Sequence, residues 1–150
     1  MKQKTDFKSL LFFTESKNRI ILIRLIVGLI FLSEGILKFL YPEIYGTGRF
    51  ENIGFSSPAF WAYFTGTFEI LCASFLLLGF LTRIASIPLI IVMVTAFFTT
   101  KWPILVSKGF WAMSHEYRTD FAMTLLLIYL VLYGAGKLSV DSLFLKSRNT

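Results

Sequence analysis

The sequence predicts an all-α fold: an integral membrane four-helix bundle. Three observations lead there. Of 150 residues, 55% are hydrophobic and only 16% carry charge, whereas a soluble domain is nearer half apolar and about a quarter charged. A chain this small has too much surface for its volume to hide that excess from water. The apolar residues also fall into four blocks, each near the roughly 17–25 residues that a helix needs to cross a bilayer. Finally, "LLLGFL" and "LLLIYLVL" show no alternation, which argues against membrane strands. Backbone polar groups in lipid must be bonded within their own segment, so the blocks should be helices.

The first helix is expected at about residues 20–41, ended by Pro42. The second spans about 60–81 after "SSP", and the third about 84–100, ended by Lys101 and Pro103. The fourth, about 115–138, is ended by Lys137 and Asp141. Residues 20–141 thus form one membrane domain. It is preceded by a basic, interfacial N-terminus (1–19) and followed by a tail (142–150). "FKSLLFFTESKNR" in the first of these is read as an interfacial helix or a loose basic tail. No cleavable signal peptide is expected, because the first apolar run is too long and lacks a small-residue cleavage site.

The connections carry information too. "GFLTRIA" is so short that the second and third helices must be antiparallel neighbours. "YPEIYGTGRFENIGFSSP" should hold a short surface helix or re-entrant loop, with "RFENIGF" amphipathic. "KWPILVSKGFWAMS" is semi-apolar and has two Trp, which suits a loop lying on the bilayer.

The net charge of +6 does not point to nucleic acid. Lys and Arg cluster at the ends of apolar segments, where they set topology, so the expected partner is the lipid bilayer. Nine fall on the side of the termini and Arg83, and four (Arg49, Lys101, Lys108, Arg118) on the other. The positive-inside rule then places both termini in the cytoplasm, with Arg83 snorkelling to that interface in a structural role.

Arg24, Glu34 and Lys38 lie inside the first apolar segment. Arg24, Gly28, Phe31, Gly35 and Lys38 share a stripe, with Glu34 beside it. Charge in the bilayer centre costs about 2.5–3.5 kcal/mol on insertion scales, so that stripe should face other helices or water. Gly28 and Gly35 permit close helix approach. Gly66, Glu69 and Ala73 share a face of the second helix. Counted from the outer boundary, Glu34 and Glu69 both sit about 12–14 Å deep, so both carboxylates can share Lys38. A register-fixing ion pair and a functional polar site are both open readings.

"SHEYRTDF" begins the fourth helix. Ser114 as N-cap and Glu116 in the first turn would explain two of its polar residues. Arg118 and Asp120 remain. Glu116 and Asp120 are four apart on one face, at the outer end, so they should enter the bundle beside Glu34, Lys38 and Glu69. The expectation is one acid-rich polar cluster, walled by Glu116, Arg118 and Asp120, with His115 at its rim. Crowded carboxylates favour keeping one protonated. "HEYRT" is not HExxH, and with one His in the chain no metal site is expected. One Cys and one His also supply no haem, iron–sulfur or flavin motif. Cys72 has no partner for an internal disulfide.

"SEGILKFLYPE", "GTGRFENIGF", "GTFEILCASFLLLGFLTRIASIPLI", "HEYRTDF" and "GAGKLSVD" together resemble the DoxX family of small bacterial four-helix membrane proteins, from about Arg24 to Asp141. The resemblance implies a multi-pass protein of the bacterial cytoplasmic (inner) membrane. It also implies a protein partner in a membrane complex, since relatives are linked to thiosulfate:quinone oxidoreductase and to oxidative-stress complexes. It points to Glu34, Lys38, Glu69, Arg83 and the Glu116–Arg118–Asp120 set. The expected function is an accessory subunit of a quinone-linked oxidoreductase or of an oxidative-stress complex, with quinone as the candidate ligand; catalytic activity and self-association are left open. The alternatives are a non-catalytic scaffold or assembly factor and, third, a small transporter or lipid-binding bundle, which would call for inverted repeats or broken helices.

Overall fold

Helix α1, Ile20–Leu40, stops one residue before the expected end. Tyr41 leaves helical geometry because the ring of Pro42 crowds the residue before it. The computed structural model describes residues 19–147; the expected N-terminal interfacial helix lies outside the described residues. Helix α2, Thr47–Ile53, is the short helix foreseen in the first connection, closed by Gly54 at φ 93°. Helix α3, Pro58–Leu78, starts with Pro in its first turn and ends on Gly79 at φ 69°. The amide of Phe80 bonds back to the Phe75 carbonyl at 2.9 Å, the closure that a left-handed glycine permits. That cap ends the helix three residues short of the expected 81.

Helix α4, Thr82–Ala96, begins two residues early because the Asp141 carboxylate accepts hydrogen bonds from the Leu81 and Thr82 amides at 2.8 and 3.2 Å. The expected stop at Lys101 and Pro103 does not occur. The chain passes through a π-helical turn, Phe97–Lys101, into α5, Trp102–Lys108. Proline lacks an N–H and its ring crowds the carbonyl four residues back, but both are tolerated in a first turn. The widened turn ahead of Pro103 absorbs the clash, so the semi-apolar connection is helical rather than a loop. Gly109, at φ 83°, makes the break instead, and α6 runs Phe110–Tyr133. Ser114 is therefore inside a helix and caps nothing. Gly134, at φ 77°, ends α6 short of the expected 138. Helix α7, Val140–Ser147, occupies much of the expected tail.

Three of the described helical stretches, α1, α3 and the continuous Thr82–Lys108, are long and apolar enough to cross a membrane. The last has 27 residues, about 40 Å, which exceeds a hydrocarbon core of about 30 Å. Helix α6 is longer than α1 but carries Glu116, Arg118 and Asp120 in its first half. The outer surface is apolar: Leu22, Leu29, Leu71, Ile91 and Leu125 are all at least half exposed, a coat that suits lipid rather than water.

Inside, Val27, Phe31, Leu76, Leu89, Leu127 and Leu130 form the core. The tightest pair is α1 with α3. A Cβ on Gly35 would lie 2.9 Å from the Gly66 carbonyl oxygen, and one on Gly28 3.3 Å from that of Ala73. Small residues let the two backbones meet, which lipid-embedded helices need because no hydrophobic force drives them together. Helix α4 packs on α3, as the short "GFLTR" turn requires, and on α6. Helix α6 closes the bundle on α1.

Candidate ligand-binding site

The α1–α3 crossing sets the first part of the site. Lys38 and Glu69 face each other across it, and the ammonium donates to the Glu69 carboxylate at 2.6 Å. Their side chains are 9% and 4% exposed. Lys38 also reaches its neighbour one turn back, 3.3 Å from the Glu34 carbonyl and 3.9 Å from its carboxylate. Lys38 thus lies between Glu34 and Glu69.

These three residues line a cavity of about 510 Å³, bounded by α1, α2, α3, α4, the π-helical turn and α6. That volume is in the range of small-molecule sites. Phe31, Phe50, Phe55, Trp61 and Phe64 make much of its apolar wall. Helix α2, packed against the start of α3, brings Arg49 and Phe50 over it. On the opposite wall, Asp120 of α6 pairs with Lys101 at 3.5 Å.

The expected outer wall of Glu116, Arg118 and Asp120 is reduced to Asp120. His115, Glu116 and Arg118 are exposed on α6 and outside the cavity lining. At 100° per residue, Arg118 projects about 200° away from Asp120, and Glu116 stands one turn further out. Thr119, Asp120 and Met123 are the α6 residues that line the cavity.

Two cations enter that sequence reasoning assigned to loops: Arg49 and Lys101. The lining therefore carries three acids (Glu34, Glu69, Asp120) and three bases (Lys38, Arg49, Lys101). It is balanced, not acid-rich, so no surplus carboxylate is present to favour a shared proton. The available signal was Arg49 in an amphipathic segment and Lys101 two residues before Pro103.

The remaining sequence-marked cations sit at the other end of the bundle. Arg24 is 2% exposed. Its guanidinium donates to the carbonyls of Leu76 (2.8 Å) and Leu77 (2.8 Å) at the end of α3, and of Ala135 (3.0 Å) and Leu138 (2.6 Å) after α6. It is a clamp on two chain turns and takes no part in the cavity. Asp141 is buried beside it. Burial pushes its carboxyl above the ordinary value, against the Leu81 and Thr82 amides and the charge of Arg24, which pull it down. Arg83 donates to the Leu132 carbonyl at 2.7 Å, tying the start of α4 to the end of α6.

An apolar-coated bundle of long helices enclosing buried ion pairs is the architecture of an integral membrane protein. The chain belongs to the DoxX family, whose model matches residues 20–102. It is 48% identical over 133 residues to an uncharacterized membrane protein of Mycobacterium tuberculosis, covering 85% of this chain and 82% of that protein. No solved structure matches. The family match reaches Lys101 but stops before α6, so the "HEYRTDF" and "GAGKLSVD" segments lie beyond it.

Proposed function

We propose that this protein is a membrane accessory subunit of a quinone-linked oxidoreductase, and that its cavity accepts a quinone headgroup. The cavity carries the reading: about 510 Å³, walled by aromatic rings, with the buried ammonium of Lys38 and the half-buried one of Lys101 in its lining. A quinone ring stacks on aromatic faces, its carbonyl oxygens accept hydrogen bonds from cations, and its isoprenoid tail leaves toward lipid. The electrons pass through the quinone and a partner's redox centre. The residues of this chain bind and orient.

In this reading the protein sits in the bacterial cytoplasmic membrane with both termini inside, and the cavity opens near the outer surface, where Trp61, Trp102 and Trp111 favour the interface. Partner subunits dock on the apolar exterior. Purification in mild detergent, followed by mass spectrometry of bound small molecules and co-purifying proteins, tests it. Quinone retained by the wild type and lost from Glu69→Gln supports the proposal. A ligand-free protein, with quinone reduction unchanged in a deletion strain, refutes it.

A scaffold role is favoured by one observation: the Lys38–Glu69 pair lies at the glycine crossing of α1 and α3. If it only fixes helix register, Glu69→Gln lowers stability and complex recovery together and leaves activity per assembled complex untouched.

A further inference from the structure

We infer that Lys101, turned into the cavity by the π-helical segment, is the residue that binds the ligand's carbonyl oxygen; the inference rests on the quinone reading above. The backbone supplies the first argument. The Trp102 amide bonds to the Phe97 carbonyl, five residues back. One extra residue in a helical turn rotates everything beyond it by about 100° relative to an unbroken α-helix. Here that rotation sets Lys101 against Asp120 and leaves Trp102 on the exposed surface. Such turns recur at functional sites.

The two lysines of the lining differ in how far they are already engaged. Lys38 is already engaged by two hydrogen bonds, to a carboxylate at 2.6 Å and a carbonyl at 3.3 Å, with a second carboxylate at 3.9 Å. Lys101, 13% exposed at its side chain, has one loose partner among the described residues, Asp120 at 3.5 Å. An ammonium carries three donors, and a mostly buried one with a single weak contact is costly. Lys101 is part of the cavity lining, so its spare donors are within reach of a ligand there.

The neighbouring wall cannot take that role. The hydroxyls of Thr95, Thr99 and Thr100 donate to the carbonyls of Ile91 (2.9 Å), Thr95 (2.8 Å) and Ala96 (2.6 Å). With their hydrogens committed, they offer only lone pairs, which suit a ligand hydroxyl and repel a carbonyl. Lys101 beside an acceptor wall thus distinguishes the two ends of a quinone or quinol ring.

Calorimetric titration of the full chain in lipid nanodiscs with a short-chain naphthoquinone tests this. Lys101→Met should bind about tenfold or more weakly, the loss of one charge-assisted hydrogen bond. Asp120→Asn, which releases the ammonium, should bind as tightly as wild type or more so. Deleting Thr100 should weaken binding as Lys101→Met does. If Lys101→Met does not assemble, the neutral pair Lys101→Gln with Asp120→Asn replaces it, with the same expected loss. Undiminished binding in the Lys101 variant overturns the inference, as does equal weakening by Lys101→Met and Asp120→Asn, the pattern of a structural ion pair. A wild type that binds no quinone refutes the parent reading and this one together.

Discussion

Lys38 and Glu69 stand 2.6 Å apart where α1 and α3 cross, and both are nearly inaccessible. A buried pair is expensive to form and more expensive to halve, because the surviving charge is left in a low dielectric. Glu69→Leu should therefore destabilise the bundle by about 3–5 kcal/mol. Combining it with Lys38→Met should recover most of that loss, since the uncompensated charge is gone. Thermal unfolding of the three variants in one detergent checks this. A double variant no better than Glu69→Leu would mean that the site needs its charges for folding.

The crossing itself gives a prediction of opposite sign to the usual rule. Gly→Ala inside a helix ordinarily gains about 0.5–1 kcal/mol. At Gly35 a Cβ would meet Ile70 Cγ1 at 2.7 Å and the Gly66 carbonyl oxygen at 2.9 Å. The carbonyl cannot rotate away, so the helices must part. Gly35→Ala should cost about 1–3 kcal/mol and loosen the Lys38–Glu69 contact. A melting temperature at or above wild type would show that the crossing is less tight than this geometry.

The parts of this site legible in sequence are those set by regular geometry. Helical periodicity placed Gly28, Gly35 and Lys38 on one stripe, and residue counting from the turns placed Glu34 and Glu69 at one depth. The short "GFLTR" connection made α3 and α4 neighbours. The parts that escaped depend on irregular backbone or distant contact. Lys101 faces inward only because the turn ahead of Pro103 widens, where proline alone reads as a stop. Arg49 joins the lining because α2 folds back over the bundle. Glu116 shares a helix face with Asp120, yet it lies one turn beyond the cavity in a helix that starts at Phe110. Arg24 in an apolar segment reads as costly, but its acceptors are backbone carbonyls, which have no sequence signature.

Orientation yields a labelling prediction. The positive-inside count puts α2 outside and the turn after α6 inside. Cys72 is buried, so a Cys72→Ala background removes little. Glu51→Cys on α2 should react with an impermeant maleimide on intact cells, and Lys137→Cys only after permeabilisation. Both positions are exposed. The reverse pattern would invert the topology and place the cavity on the cytoplasmic side.

Arg24 should tolerate lysine poorly. Its guanidinium spans two elements, with Nε and Nη2 on the carbonyls ending α3 and Nη1 on both carbonyls after α6. The planar fork holds these directions at once. A lysine ammonium is a single point with three donors and cannot serve both turns. The pocket is also closed to rearrangement: a Cβ on Gly79 would lie 2.5 Å from Arg24 Nη2 and 2.6 Å from Ser139 Cβ. Arg24→Met strands four carbonyls and should cost about 3 kcal/mol or more, each lost charge-assisted bond being worth about 1.5–3 kcal/mol. Arg24→Lys should lose at least half as much, despite keeping the charge. Gly79→Ala should act similarly, because it also forces an unfavourable φ. Melting temperatures of the three variants decide the matter. If Arg24→Lys unfolds within a degree of wild type, charge alone suffices at this position and the clamp has no geometric requirement. If it falls with Arg24→Met while quinone binding per folded molecule is unchanged, Arg24 holds the closed end of the bundle independently of the cavity at the other.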